Sequence, residues 1–377
     1  MKIEKLISAD SHVVEPPNLW QERIERKYRD RAPRMIHDNG VDRWIVDEHI
    51  AIGSTGAPSQ AGRRYQDKES LSIEAAFADT PKAAWDPDAR IEASLRDGVV
   101  GEVIFPTIAV RLVETHIEPG LLSACCRAIN DWMIDFTGAH PKSLKGTCLL
   151  NVETVSEAVA ELSRCVKRGA IAACIPAYPG EGKTYDRAEY DLLWAAAQDA
   201  AIPIVMHTGS YRPGPGIVGS FANDISVGGT SSFRASEDYW VRRAIGDMMF
   251  SGVFERFSTL KIGAVEFELG WAPYFIQTMD RHYEEHRYVK EIRFKSERMP
   301  RDFFHDNVFV TFQEDVAGVM TRHITGVENI LWGSDFPHTE STWPHSREVL
   351  SELLSEVPDQ EIALMTHGNA ARIFGFD

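Results

Sequence analysis

The sequence predicts a (β/α)8 barrel, a closed parallel sheet of eight strands surrounded by helices. Short apolar runs of β-type composition recur along the chain, and most are followed by a segment with helical periodicity. Strict alternation of strand and helix indicates parallel pairing through right-handed crossovers. Eight runs can be delineated, the number that such a barrel needs: 5–10, 99–105, 145–150, 170–175, 202–207, 260–266, 307–312 and 329–335.

The segment 154–168 illustrates the helical half of this pattern. Its valine and leucine residues recur at i, i+4, i+7 and i+11, which places them on one face of a helix. Gly169 follows at the position where a glycine commonly ends a helix. We therefore expect a helix that packs one face against the barrel and stops before Gly169.

Two long segments interrupt the alternation. Residues 13–90 form an insertion after the first strand, with a predicted small hairpin in DRWIVDEHIAI, and residues 208–233 form a loop rich in Gly, Ser and Pro after the fifth strand. Both follow the C-terminal end of a strand, the face on which these barrels place their active sites. Loops of this length inside a compact domain are usually functional lids or disordered. Since no internal repeat or domain boundary is evident, we expect one domain over 1–377.

Composition restricts the classes of function. The chain has 377 residues, of which 44% are hydrophobic and 25% are charged, as in a globular protein with a sizeable core. A formal net charge of −16 disfavours a nucleic-acid-binding surface. Without a long apolar run or a signal-peptide-like start, the chain is expected to be cytoplasmic and free of membranes. The five cysteines include no CxxC pair, so reduced core residues are expected.

Polar residues of metal-binding type end three of the predicted strands. Asp10 and His12 end the first strand, and their spacing points both side chains to the same face. His207 and Asp335 end the fifth and eighth strands, which are otherwise apolar. A buried aspartate needs a cation or several donors, although His207 alone fits a hydrogen-bonded core histidine equally well. Together, carboxylates and imidazoles on one rim predict a divalent metal: zinc, manganese or iron.

Eight short motifs are spread along nearly the whole chain: ADSHVVEPPNLW, KYRDRAP, WDPDARI, AINDW, VMHTG, FELGWAPYF, ILWGSDFPH and HGNAARIFGF. As a set they resemble the amidohydrolase superfamily, in the amidohydrolase-related branch that includes aminocarboxymuconate semialdehyde decarboxylase. The resemblance implies a (β/α)8 barrel whose primary metal ligands are Asp10, His12, His207 and Asp335. It also implies that Asp335 shuttles a proton.

The chain departs from the family pattern at three places. The first strand carries D-x-H where H-x-H is usual, and AIAACIPAY has no lysine to form the carbamylated bridge of two-metal hydrolases. After the sixth strand, Glu266 stands near the position of a catalytic histidine in decarboxylases of this branch. Glu266 is therefore a solvated rim carboxylate, a general base or a ligand of a second metal.

Two histidines and four residues of the loops complete the candidate site. His282 is either a surface histidine or the partner of Glu266 in a second metal site, as in dinuclear oxygenases of this fold that the chain resembles. His338, three residues past Asp335, is a candidate for catalysis above the metal. The candidates for substrate binding are Glu15 and Trp20 in the first loop and, for a substrate carboxylate, Arg212 or Arg234.

The predicted reaction is lytic: hydrolysis or non-oxidative decarboxylation of a small organic substrate, a carboxylate by resemblance, at one divalent ion. Asp335, Glu266 and His338 are the catalytic candidates. One alternative is an oxygenase with two Fe or Mn ions that hydroxylates a small substrate. The other is a catalytically silent subunit that supports a partner. By resemblance we expect a homodimer or larger assembly, with a hetero-oligomer as the alternative.

Overall fold

The computed structural model describes residues 3, 5–48, 50–72, 75–212, 232, 234–288 and 293–377. The strands within these residues are β1 (Leu6–His12), β2 (Arg34–Asp38), β3 (Val41–Val46), β4 (Ile50–Ser54), β5 (Val99–Phe105), β6 (Leu144–Leu149), β7 (Ala172–Tyr178), β8 (Ile204–Tyr211), β9 (Ile262–Val265), β10 (Val308–Phe312) and β11 (Ile330–Trp332).

α-Helices of at least four residues connect or follow these strands. Within the same described residues they are α1 (Leu19–Arg23), α2 (Arg63–Gln66), α3 (Pro87–Arg96), α4 (Ile108–Arg111), α5 (Pro119–Gly138), α6 (Val155–Val166), α7 (Asp191–Asp199), α8 (Asp238–Phe250), α9 (Val253–Arg256), α10 (Trp271–His286), α11 (Pro300–Asn307), α12 (Val316–Met320), α13 (Arg322–Thr325), α14 (Ser346–Leu353), α15 (Asp359–Ala363) and α16 (Asn369–Phe374), the last two joined by a π-helical turn over Leu364–Gly368. None of the helices in these described ranges has the length and hydropathy of a membrane span.

The large sheet confirms the predicted barrel. Its eight strands in the described chain pair in parallel in the order β1-β5-β6-β7-β8-β9-β10-β11, so that each neighbour in space is also the next barrel strand in sequence. All eight predicted strands are present. β1 and β11 stand at the two ends of this order, and they meet through the amide of His12, which donates to the oxygen of Phe336 at 2.7 Å. We call this junction the β1–β11 seam.

Among the strand ends that differ from the prediction, those of β8, β9 and β11 decide where site residues lie. β8 continues through Tyr211 where 202–207 was predicted, so His207 lies inside the strand. β9 stops at Val265, and β11 stops at Trp332, so Glu266 and Asp335 lie beyond their strands. Both of these residues have positive φ, 63° and 56°, which ends the extended conformation before them.

The insertion of residues 13–90 forms a small antiparallel sheet with the order β2-β3-β4. The predicted hairpin corresponds to β3 and β4, whereas β2 was missed because its sequence, RMIHD, is half polar and largely exposed. Trp44 of β3 is buried against Trp20 of α1, with ring centroids 5.2 Å apart and nearly perpendicular planes. This contact anchors the small sheet to the first loop of the barrel.

The predicted helix in 154–168 and the predicted loop 208–233 have different outcomes. The helix predicted within 154–168 is α6, and Gly169 adopts the expected positive φ of 106°. The predicted loop 208–233 begins too early, since 208–211 belong to β8, and most of the remainder lies outside the described residues. The assignment of 1–377 to one domain stays a prediction.

Candidate metal centre

Six side chains with metal-binding chemistry converge at the C-terminal mouth of the barrel. Asp10 and His12 come from β1 and His207 from β8, while the other three follow strand ends: Glu266 after β9, and Asp335 and His338 after β11. All six were candidates from the sequence: four as primary ligands, Glu266 as a base or second-metal ligand, and His338 as a catalytic group above the metal. The structure brings all six together.

Four of these residues surround one point. The Nε2 atom of His12 lies 3.4 Å from Oδ1 of Asp10 and 3.1 Å from Nε2 of His207. The Nε2 atom of His207 lies 3.3 Å from Oδ1 of Asp10 and 3.3 Å from Oε2 of Glu266. Donors that share an ion at about 2.1 Å stand roughly 3.0–3.4 Å apart in tetrahedral or octahedral geometry. The spacing of these donors therefore fits one divalent cation.

A second group of donors overlaps the first through His12 and Glu266. Oδ1 of Asp335 lies 3.5 Å from Nε2 of His12 and 2.7 Å from Nδ1 of His338. The ring of His338 stacks on that of His12 with centroids 4.1 Å apart, and its Nε2 lies 3.0 Å from Oγ1 of Thr107. Asp335 was predicted in the same set as Asp10, His12 and His207, and it lies beside that set, against His12.

The carboxylate of Asp335 is the strongest sign of a cation in this centre. Its side chain is about 1% exposed, and neither oxygen accepts a hydrogen bond from the described residues despite the proximity of His338. A buried carboxylate without donors is unfavourable unless a cation neutralises it. The donor set, carboxylate and imidazole together, is the chemistry that Mn, Fe and Zn accept.

The electrostatics of the cluster indicate an excess of negative charge. Burial raises the pKa of both Glu266 and Asp335 well above the usual range, and the charges of nearby carboxylates raise it further. Burial alone would lower the pKa of His207, but the charge and hydrogen bond of Asp10, with the charge of Glu266, raise it to about 9. A divalent cation among these groups would relieve the repulsion between the carboxylates.

The backbone turns sharply to bring the late strands to this point. Glu266 and Asp335 occupy the left-handed region, which costs a non-glycine residue about 1–2 kcal/mol. The amide of Glu266 donates to Oγ1 of Thr311 at 2.8 Å, and that of Asp335 donates to the oxygen of Asp10 at 2.9 Å. A Cβ on Gly333 would lie 2.5 Å from Cβ of Asp10, so only glycine permits this approach of the two strands.

The structure places two of the predicted substrate contacts in the core. Glu15 is completely buried, and its two carboxylate oxygens accept the amides of Ile108 at 3.0 Å and Ala109 at 2.9 Å, which caps the start of α4. Trp20 is also completely buried, and its Nε1 donates to the oxygen of Cys125. Both residues stabilise the fold around the first loop and have no polar atom left for a substrate.

Of the two arginines predicted to hold a substrate carboxylate, Arg212 is already occupied. It pairs with Glu153 and donates to the backbone oxygens of Val113 and Thr115. Arg234 is 39% exposed and lies near the centre, where its charge is felt by both Glu266 and Asp335. The structure therefore leaves Arg234 as the candidate.

The structure places His282, the candidate second-site ligand, on the surface of α10. Its side chain is exposed on α10, where it contacts the rings of Phe250 and His286 with centroids 6.1 Å and 4.4 Å away. It belongs to neither of the donor groups found in the described residues. The helical periodicity of its segment, which buries Met279 and Tyr283, already favoured the surface interpretation.

The residues that bond to the backbone beside the metal donors were not identified from the sequence. Arg90 and Glu102 form a completely buried ion pair next to β1. Two signals were available: Glu102 is the one charged residue in the apolar strand VVGEVIF, and Arg90 lies in the motif WDPDARI. A charge inside a barrel strand requires a buried partner.

Comparison with known proteins agrees with this architecture. The amidohydrolase family matches residues 10–376. Decarboxylase orsB of Emericella nidulans is 30% identical over 176 residues, a match that spans 45% of this chain and 52% of that protein.

Two solved structures have the same fold over the whole chain. One is an amidohydrolase of Mycobacterium avium subsp. paratuberculosis, with a TM-score of 0.78 and 17% identity over 100% of this chain and 99% of that one. The other is a dihydroxybenzoic acid decarboxylase of Polaromonas sp., solved with manganese and the inhibitor 2-nitroresorcinol, with a TM-score of 0.64 and 15% identity over 99% and 97%. At these identities the two structures establish the fold alone. From the match of residues 10–376, the chain belongs to the amidohydrolase family.

Proposed function

We propose that this chain is a metal-dependent carboxy-lyase that removes carbon dioxide from a small hydroxylated aromatic carboxylate without oxidation. The observation that carries the proposal is the convergence of Asp10, His12, His207 and Glu266 at the barrel mouth, with Asp335 beside them 3.5 Å from Nε2 of His12. The carboxylate of Asp335 is buried, and neither of its oxygens is hydrogen-bonded by the described residues. The decarboxylases among the similar proteins support this chemistry over other reactions of the family.

We propose manganese as the metal, held by Asp10, His12 and His207, with the carboxylate of Asp335, 3.5 Å from Nε2 of His12, as the fourth ligand. The manganese in the decarboxylase of Polaromonas sp. supports this choice, and the mixture of carboxylate and imidazole donors is compatible with it. When bound, the metal acts as a Lewis acid that orients the substrate and stabilises developing negative charge on its oxygens. Substrate recognition and proton transfer are assigned to side chains at the barrel mouth.

Arg234 is the residue proposed to recognise the substrate carboxylate. Its Nη1 lies 3.3 Å from Oε2 of Glu237, which follows β8, and its Nη2 lies 3.4 Å from Oε1 of Glu340, which follows β11. The guanidinium therefore lies between the loops on two sides of the mouth. A planar guanidinium is well suited to bind a carboxylate through two hydrogen bonds.

Asp335 and His338 are the pair proposed to handle the proton. Loss of carbon dioxide from an aromatic carboxylate breaks one carbon–carbon bond, and the electron pair left on the ring carbon must take up one proton. Nδ1 of His338 lies 2.7 Å from Oδ1 of Asp335, and Nε2 of the same ring lies 3.0 Å from Oγ1 of Thr107. The pair can hold a proton at the carboxylate while Thr107 fixes the orientation of the imidazole.

The test is an assay of manganese-loaded protein with 2,6-dihydroxybenzoate and 5-carboxyvanillate in D2O. We expect release of carbon dioxide with one deuterium in the product at the former carboxylate position, and no oxygen uptake. Removal of the metal with EDTA should abolish the reaction, and returning Mn²⁺ should restore it. Metal-loaded protein that releases no carbon dioxide from any hydroxybenzoate in the panel would contradict the proposal.

A second function, a dinuclear oxygenase, is favoured by one specific observation. The donors His12, Glu266, Asp335 and His338 form a second group beside the first, and Glu266 belongs to both. A carboxylate shared between two groups is placed to bridge two cations. In this alternative, His338 takes the role that the sequence assigned to His282.

Metal counting distinguishes these two functions. In the dinuclear alternative, Glu266→Gln lowers the metal content from two ions per chain to one and removes oxygen uptake. In the carboxy-lyase, wild type and variant both hold one ion. Glu268→Gln is the matched control, since Glu268 also has positive φ and a pKa that burial raises to about 7, yet lies in neither donor group.

A further inference from the structure

Arg90 is a completely buried arginine on α3 whose role the proposed reaction does not explain. Its Nε and Nη2 donate to the two oxygens of Glu102 at 2.9 Å and 3.0 Å, a bidentate pair. Ser94 completes the group by donating to Oε2 of Glu102 at 2.5 Å. Because a buried ion pair contributes little net stability compared with apolar packing, its presence calls for another explanation.

The two Nη atoms of the guanidinium also bond to backbone on both sides of the β1–β11 seam. Nη1 donates to the backbone oxygen of His12 at 2.7 Å, and Nη2 donates to that of Phe336 at 3.3 Å. The guanidinium carbon also lies 4.6 Å from the centroid of the Phe336 ring. His12 is a donor of the metal centre, and Phe336 directly follows Asp335. Arg90 therefore holds one residue from each side of the centre.

The seam depends on few bonds, which makes this contact important. The other barrel strands pair along parallel ladders, whereas β1 and β11 stand at the ends of the strand order. They are joined by the amides of Asp335 and His12 and by a cluster of buried hydroxyls from Ser8, Ser11 and Ser334. Small changes at this junction change the distance between Asp335 and the ligands of β1.

We propose that Arg90 is a positioning residue: fixed by Glu102, it holds the carbonyl groups of His12 and Phe336 and thereby sets the spacing of the metal donors across the seam. The inference rests on the metal centre of the proposed function. Lysine cannot replace it, because one ammonium group cannot reach both carboxylate oxygens and both carbonyl groups at once. The residue acts through His12 and Asp335 and does not contact the substrate.

The test compares the affinity for Mn²⁺ of Arg90→Lys, Glu102→Gln and Ser94→Ala by calorimetry, with the electron paramagnetic resonance spectrum of bound Mn²⁺ as a second readout. Outer residues that orient metal ligands typically change affinity by about 10- to 100-fold. We expect a loss in that range for Arg90→Lys, a smaller loss for Glu102→Gln, and the smallest for Ser94→Ala. The spectrum should broaden in the same order, since the ligand geometry becomes less uniform.

The matched control is Arg322→Gln. Arg322 on α13 also pairs with a glutamate, Glu361, and also donates to a backbone oxygen, that of Val319. We expect this variant to lose thermal stability while its dissociation constant for Mn²⁺ stays within about 2-fold of wild type. A loss of affinity in Arg322→Gln equal to that in Arg90→Lys would mean that the effect is general destabilisation, which overturns the proposal.

The outcomes separate this inference from the proposed function. Folded Arg90→Lys with wild-type affinity and spectrum overturns the positioning role and leaves the metal-dependent function in place. Should Arg90→Lys not fold, unchanged affinity in both Glu102→Gln and Ser94→Ala overturns it equally. Wild-type protein that binds neither Mn²⁺, Fe²⁺ nor Zn²⁺ contradicts both proposals together.

Discussion

The two sides of the barrel mouth hold their metal donors in different ways. On one side, His207 lies inside β8 and is paired on both flanks, with Pro176 of β7 and Val265 of β9, although the register of the β7–β8 ladder shifts beyond Pro176. On the other side, Asp335 lies three residues past a three-residue strand, in a left-handed conformation, at a seam held by scattered bonds. The position of His207 is set by strand pairing, whereas the position of Asp335 depends on side chains that pack against the β1–β11 seam.

This difference predicts which changes the site tolerates. A ladder distributes a local perturbation over many backbone hydrogen bonds, so the β8 side should keep its geometry when single side chains change. The β1–β11 seam has few such bonds, so changes there should move a donor. Single substitutions on each side of the mouth should therefore differ in their effect on metal binding.

Asp335→Asn should have the largest effect. The variant removes a negative ligand and the partner of the His338 proton while preserving shape, so turnover should fall by roughly 10³-fold or more. Circular dichroism should show an intact fold. A rate of carbon dioxide release within 10-fold of wild type would mean that Asp335 is not required for catalysis. It would also mean that the position of Asp335 at the seam matters little for turnover.

Gly333→Ala tests the seam without replacing a metal donor. The added Cβ would lie 2.5 Å from Cβ of Asp10 and 3.2 Å from its amide nitrogen, so we expect about 1–3 kcal/mol of destabilisation and weaker Mn²⁺ binding. Gly138→Ala is the control, because a Cβ there meets nothing within 4 Å and Gly138 ends α5. That control should raise stability by up to about 1 kcal/mol. Equal Mn²⁺ affinity in both variants would contradict the tight approach at the seam.

The same division separates what the sequence could predict from what it could not. The eight strands were predictable because apolar runs alternate with helical periodicity, and His207 followed from its place in such a run. The grouping of Glu266 with Asp10 and His12 was not predictable, since it depends on a left-handed turn after Val265. Sequence position likewise could not distinguish Trp20 in the core from a residue in the mouth.

Arg234→Gln should affect substrate binding more than chemistry. Loss of one charged partner for the substrate carboxylate should raise KM by about 10-fold, with a smaller change in kcat. Arg242→Gln is the control from α8, since Arg242 pairs with Asp238 at 2.7 Å and is similarly exposed. A KM equal to wild type in Arg234→Gln would mean that another residue of the barrel mouth binds the substrate carboxylate.

The smallest effect concerns pH and the β8 side. In metal-free protein the pKa of His207 is raised from 6.5 to about 9: burial lowers it, but the charge and hydrogen bond of Asp10 and the charge of Glu266 together outweigh burial. The protonated imidazole therefore contributes stability that is complete below pH 6.5 and is lost as the pH rises through 9. In EDTA, the melting temperature should fall by a few degrees between these pH values, on the order of 3 °C. Since the metal replaces the proton on His207, the increase in melting temperature caused by Mn²⁺ should grow over the same range.

His207→Gln should flatten the metal-free profile, because it removes the titrating group while the β8 ladder keeps the fold. A melting temperature in EDTA that is constant or rises from pH 6.5 to 9 in wild type would mean that Asp10 does not hold a proton on His207, and that the two donors are further apart in solution than 3.3 Å.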